Sequence, residues 1–390
     1  LADQRVRASQ ERRDEHGAYL AQFYAQLHRR NLHIFERQWG RNLVTATRSL
    51  AEAGVIEILA QTATHIVPHL HSRVTVRTQL ETGLINIMRN LGQRPTVLWA
   101  ADDPLTPELL ELLPPLGIEG VVAPPDLDQP LNTACWLDQA HQVWGLSADP
   151  RLLNHIASTS LGYPGDPLYR AGATAPLGDG TLTRAGAPYD PFHAYARARL
   201  HARHFAAVVE EMSSSRPAPL IVASPLELFG SGWFEGGLWL RTVIEELHRS
   251  TALRLALPSR LIERHPPTGQ RPIDPVTHSP DPVLAAAFRQ MQAVVEQYPR
   301  TYGDREQVLN QAARELLLAQ SGDWDRWQGR AAAYAQAQRA AHLARFARLL
   351  ELAQDEVLLP VAAREFAELQ ERDNPFPALN YRLFGAADER

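Results

Sequence analysis

Five short apolar runs punctuate the first 260 residues: VIEILA (55–60), TVLWA (96–100), IEGVVA (118–123), LIVAS (220–224) and LRLAL (253–257), with helical stretches between most of them. Parallel strands need long crossover connections, and helices that supply those crossovers cover the sheet faces. The alternation therefore predicts parallel β/α units up to about Pro258. Before the first run, AYLAQFYAQLHRRNLHIFERQWGRNLVTATRSL repeats apolar residues three and four apart, which reads as long helix with Gly54 as its stop. After the last, IERHPPTGQRPIDPVTHSPDPV (262–283) is too rich in proline for regular structure. The stretches 284–320 and 328–355 are rich in alanine and leucine at helical spacing. The expected division is a barrel-type domain over 1–265 with a helical insertion, a linker over 266–283, and a helical domain over 284–390.

Two absences remove whole classes of chemistry. None of the 39 basic residues is lysine, so Schiff-base chemistry, a pyridoxal-phosphate anchor and a Walker phosphate loop are excluded. Cys135 is the only cysteine, which excludes an internal disulfide and cysteine-clustered zinc. No cofactor is expected. The net charge of −5 gives no reason to expect nucleic acid or an anionic membrane as partner. No apolar run reaches the ~18 residues of a membrane span, and the opening, which starts on Leu1, has no signal-peptide pattern. The expectation is a cytoplasmic protein.

In a parallel barrel the C-terminal strand ends share one face, where active sites are built. Here those ends lead into Thr64-His65, Asp102-Asp103, Pro124-Pro125-Asp126 and Ser224-Pro225-Leu226, the last followed by ELFGSGWFEG. Such a collection reads as a cleft, or as ordinary loop polarity. His65, His69 and His71 lie close in THIVPHLHSR, but Pro68 breaks the helix that would align them and no HExxH occurs, so no metal site is expected. His65 alone reads as a partner for a substrate hydroxyl. His201 and His204, in HARHF, read as core or helix-end residues. Trp99, Trp233, Trp239 and Trp324 are either ring-stacking surfaces or core. Cleaving or transferring a glycoside with retention needs two carboxyl groups ~5–5.5 Å apart. Asp102 or Asp103 offers one, and on 224–227 only Glu227 offers another.

LAEAGVIEILAQTATH, RPTVLWAADD, GYPGDPLYR, APYDP, HARHF, ELFGSGWFEG, the GDW of 322–324 and ERDNPFP run in one order from about residue 20 to about residue 381. Together they resemble glycoside hydrolase family 57, above all its 1,4-α-glucan branching enzymes. The resemblance implies an α/β fold, an incomplete (β/α)7 barrel (TIM-like) with helical insertions plus a C-terminal α-helical domain. It also implies a retaining mechanism and an α-1,4-glucan or oligosaccharide partner of the glycogen or amylose kind. His65 matches a Thr-His position near the donor sugar, Trp233 a cleft aromatic, and Asp323-Trp324 an Asp-Trp pair reaching back from the helical domain.

The departures fall on the chemistry. The family's nucleophile is the glutamate of a stretch like Trp-Leu-Pro-Glu, which here reads Trp99-Ala100-Ala101-Asp102. Its acid/base aspartate stands two residues before the glutamate of ELFG, where this chain has Pro225. The histidine after ELFG is Ser231, the opening His-x-His strand would fall before Leu1, and the acceptor loop is replaced by the proline-rich linker. One expectation is a glucan-binding relative that leans non-catalytic. The others are a working branching enzyme or 4-α-glucanotransferase, and a slow α-glucan hydrolase using Asp102 with Glu227. An aspartate nucleophile falls short by ~1.5 Å, and a misplacement of ~1 Å costs on the order of a hundredfold in rate.

Overall fold

Val97–Trp99 (β1) and Gly120–Ala123 (β2) are the runs that do become paired strands, in parallel, with Val97 opposite Gly120 and Trp99 opposite Val122. The computed structural model describes residues 14–101, 105–124, 134–171, 181–215, 218–271, 273–277 and 280–385. Cys135–Asp138 (β3) and Val143–Ser147 (β4) complete a four-stranded sheet of order β1-β2-β4-β3. The β3–β4 pair is antiparallel, with a register slip between Trp136 and Asp138. Gly120 is glycine for a steric reason: a Cβ there would sit 2.0 Å from the Trp144 indole that lies over it. Val97, Leu98, Val121 and Val122 are buried, as a covered sheet requires.

Three expected strands are corrected. Of 55–60 only Ala60 pairs, as an isolated parallel bridge to Leu98. The run 220–224 joins no ladder, although Ile221 O accepts from Asp149 N at 2.8 Å, and 253–257 is irregular. A strand inside a parallel sheet is covered on both faces, whereas Val222 is 39% and Leu255 54% exposed. The expected long N-terminal helix is also broken. It runs over Glu15–His33, widens through a π turn at Ile34–Gln38, and restarts at Leu43–Glu52 with Asn42 as cap. Gly40 and Arg41, at φ +54° and +62°, make the break. Gly54 stands at φ +66°, as a helix stop does.

The residues group into two compact units, each drawn from three segments. The first comprises 1–56, 123–134 and 146–268. Its core is aromatic: Tyr163, Tyr169, Tyr189, Phe205, Trp233 and Trp239 pack around the helix Pro191–Ser215. The second comprises 57–122, 135–145 and 269–390. Its helices Pro282–Gln297, Gly303–Ala319, Arg330–Leu352 and Pro360–Arg372 enclose Met291, Leu309, Leu316, Phe346, Phe366 and Phe384. The helix Arg73–Leu91, capped by Ser72 and closed by Gly92 at φ +70°, buries a polar face there. Two of those groups find partners across the unit: Thr78 Oγ1 donates to Leu383 O at 2.7 Å, and Gln79 reaches Leu317 O and Gln320 Oε1, while the Thr82 hydroxyl has no partner among the described residues. No described helix is long and apolar enough to cross a membrane.

Candidate functional site

In the second unit the chain leaves Ala60 beside β1, where Trp99 N donates to Ala60 O at 3.0 Å, and enters the loop that carries Thr64 and His65. Gln79 Oε1 accepts from Thr64 N at 2.9 Å, and the Thr64 hydroxyl donates to Leu317 O at 3.2 Å. Gly322 N donates to His65 O at 2.6 Å. A Cβ on residue 322 would come within 3.0 Å of Val67 Cγ2 and 3.1 Å of His65 O, so the GDW glycine permits this approach. The approach brings Asp323 to His65, with Nδ1 to Oδ1 at 3.0 Å, while Arg326 Nη2 meets the other ring nitrogen at 3.1 Å. A carboxylate only accepts and a guanidinium only donates. The ring is thus the tautomer that carries its proton on Nδ1.

Trp324 follows directly. It is half-buried, its indole N–H donates to Leu318 O at 2.7 Å, and its ring lies 5.8 Å from that of His342. Trp99 ends β1, also half-buried. Ala101, two residues on, holds φ +51°, a left-handed backbone rare for alanine. Asp102 and Asp103 lie outside the described residues, as do Pro125 and Asp126.

Pro225, Glu227 and Trp233 belong to the first unit. Pro225 is exposed and extended (φ −59°, ψ 133°), and it precedes the 3-10 turn Leu226–Leu228, in which Glu227 is exposed. Trp233 is not an open aromatic surface in this structure. It is 1% exposed, with ring centroids 5.4 Å from Tyr169 and 5.3 Å from Trp239. The reason is the turn: Trp233 N donates to Leu228 O, and Gly230, at φ +114°, donates back to Trp233 O, which folds the indole inward.

The signature motifs of the first unit bind one another. Tyr169 of GYPGDPLYR pairs with His201 Nδ1 at 2.8 Å, and Tyr163 with His204 Nδ1 at 2.7 Å. Burial pushes the His201 imidazole below its usual range and lifts Tyr163 to about 12. Glu235, which spacing gave no reason to single out, is buried. It accepts from Tyr189 Oη at 2.7 Å and Arg170 N at 3.1 Å, while the Arg170 guanidinium lies 4.8 Å from the Phe234 ring. Burial pushes its carboxyl above the usual range. In the second unit Glu315, His342 and Asp373 offer three ligand atoms within 4.8 Å of one another. The Arg345 guanidinium is already among them, 3.0 Å from Glu315 and 3.1 Å from Asp373, and supplies the cation itself.

Residues 8–274 match glycosyl hydrolase family 57, and residues 283–384 match the C-terminal region of 1,4-alpha-glucan branching enzyme. The chain belongs to glycoside hydrolase family 57. It is 25% identical to a 1,4-alpha-glucan branching enzyme of Thermococcus kodakarensis, over 86% of this chain and 60% of that relative's length. The chain thus spans less than two thirds of that relative. Among solved structures, an alpha-amylase of Thermotoga maritima superposes at a TM-score of 0.83, with 22% identity over 99% of this chain and 84% of that one. A family-57 branching enzyme of Thermococcus kodakaraensis, solved with glucose and additives, also gives 0.83, with 21% identity over 99% and 83%. The fold is accordingly that of these family-57 proteins, a TIM-like barrel with a C-terminal helical domain.

Proposed function

We propose that this chain binds α-1,4-glucan in the cytoplasm and does not transfer it. In this reading 1–265 is the barrel, 266–283 the linker and 284–390 the helical domain. His65, Trp99, Asp323 and Trp324 hold sugar, while Asp102 and Pro225 occupy the positions of the nucleophile and the acid/base. Trp233, which the resemblance matches to a cleft aromatic, is packing within its own unit, against Tyr169 and Trp239. The observation that carries the reading is chemical: Pro225 has no proton to give a leaving oxygen. The carboxylate nearest along that segment, Glu227, sits in a turn with its side chain in solvent. Without general acid–base help a rate falls by ~10²–10⁴. The Ala101 backbone adds support, because φ +51° is closed to the proline the family carries at the matching position.

Incubation with amylose tests this, with iodine staining, branch counting after debranching, and retardation in a glucan-containing native gel. Retardation without new branches is expected. New branches would overturn the reading and return the chain to the working branching enzymes, and release of short sugars would mark it as a hydrolase.

A further inference from the structure

We propose that Arg326 is a cap on the sugar-facing nitrogen of His65, a specificity-determining residue that a glucan hydroxyl must displace. This rests on the glucan-binding reading above. Asp323 and Arg326 stand three residues apart on the short helix Asp323–Arg326, so both project from one side of a single turn. They engage the two nitrogens of one imidazole, Asp323 accepting from Nδ1 at 3.0 Å and Arg326 donating to Nε2 at 3.1 Å. A neutral imidazole has one donor and one acceptor, and here both are taken. Asp323 fixes the proton on Nδ1, and that in turn leaves on Nε2 the lone pair that a guanidinium fills. A sugar hydroxyl can give its proton to Nε2 only once Arg326 has left.

The cap is built to leave. Arg326 is exposed, whereas the backbone that carries the imidazole is held: the His65 carbonyl accepts from Gly322 N at 2.6 Å, and Ile66 beside it is buried. The exposed partner moves and the anchored one stays. Arg326 therefore sets a threshold: a ligand that offers Nε2 no hydroxyl leaves the cap in place, while a correctly presented hydroxyl replaces it.

The test is calorimetric titration of the full chain with maltoheptaose, comparing wild type, Arg326→Ala, His65→Ala and the double variant. Long-range ¹⁵N–¹H spectra of the His65 ring run alongside. Removing a net interaction of this kind predicts three- to tenfold tighter binding for Arg326→Ala. The same change in the His65→Ala background is expected to have no effect, because the cap then has nothing to cover. The Nε2 resonance shifts in Arg326→Ala while the proton stays on Nδ1. Weaker binding in Arg326→Ala makes the arginine a direct sugar contact and overturns the cap. Unchanged binding overturns it too, as does a gain that persists without His65. If wild type and every variant ignore maltoheptaose, the glucan-binding reading falls. The spectra still decide the cap, since an unmoved Nε2 resonance refutes it.

Discussion

Arg314 is the residue whose loss most directly tests the role of the ERDNPFP signature. It lies on the helix Gly303–Ala319 and is 4% exposed. Its fork donates from Nε to Phe376 O at 2.9 Å, from Nη1 to Gln311 Oε1 at 2.6 Å, and from Nη2 to Pro377 O at 3.4 Å. Gln311 Nε2 carries the link on to Asp373 O at 2.6 Å. The signature is thus a loop whose carbonyls are tied to one helix. Arg314→Met keeps a long stem and removes the donors, which strands two well-made acceptors in the interior. Hydrogen bonds to a charged donor contribute about 1.5–3 kcal/mol each, so the gross loss is about 3–6 kcal/mol. Relief of the guanidinium's own desolvation, visible in its lowered pKa, offsets part of this and leaves about 2–4 kcal/mol. For a unit of this size that lowers the melting temperature by about 5–15 °C. Thermal unfolding followed by circular dichroism gives the number, and Arg314→Lys, whose ammonium reaches one carbonyl, should fall between. A shift below about 2 °C for Arg314→Met would refute the argument. If lysine proves as damaging as methionine, the fork geometry is not what matters.

Three further outcomes are expected. Because burial raises the Glu235 carboxyl in the folded state, its contribution to stability is present below the ordinary value of 4.5 and is lost as pH rises through the raised one. Glu235→Gln keeps an acceptor for Tyr189 and Arg170, so its melting temperature relative to wild type should climb from pH 4 to pH 8; a difference that stays flat contradicts this. Ala101→Gly should stabilise by about 0.5–1 kcal/mol, the left-handed penalty for alanine less the added chain entropy of glycine. Urea unfolding reads that gain, while Ala101→Pro should destabilise. Finally, Pro225→Asp combined with Asp102→Glu should raise branching of amylose above background where neither change alone does so, since a retaining mechanism has no use for one carboxylate. A double variant that stays silent in the branch count would rule out these two positions as the only lesion.

What sequence could and could not announce divides along physical lines. The helices over 284–320 and 328–355 were legible because a buried stripe at helical spacing leaves an unambiguous periodic trace. β1 and β2 were legible as apolar runs buried on both faces. β3 and β4 were not, since CWLD and VWGLS are short and mix tryptophan with polar residues, and their antiparallel pairing has no crossover to signal it. The run 220–224 has the composition of a strand, but composition does not state whether a neighbour is there to pair with. His65 and Asp323 could be singled out from their motifs, but their 3.0 Å separation could not be read from residues so distant in the chain. Trp233 went the other way: glycines beside it suggested an open loop, yet those glycines let the turn tuck the ring inside. Glu235 carried no signal at all, because a buried carboxylate is defined by Tyr189 and Arg170 arriving from elsewhere.

The bond between Gly322 and the His65 carbonyl has a consequence for biosynthesis. His65 and Asp323 are 258 positions apart, and at about 5–20 residues per second a ribosome needs roughly 10–50 s to deliver the second after the first. Throughout that interval the loop at 61–67 has its bonds to Gln79 but not those to Leu317 and Gly322, and the Gln79 amide waits for Leu317 and Gln320. A nascent chain that stalls before residue 317 therefore leaves Thr78 and Gln79 without their partners Leu383, Leu317 and Gln320. Until residue 323 is made, the pair between His65 and Asp323 cannot form.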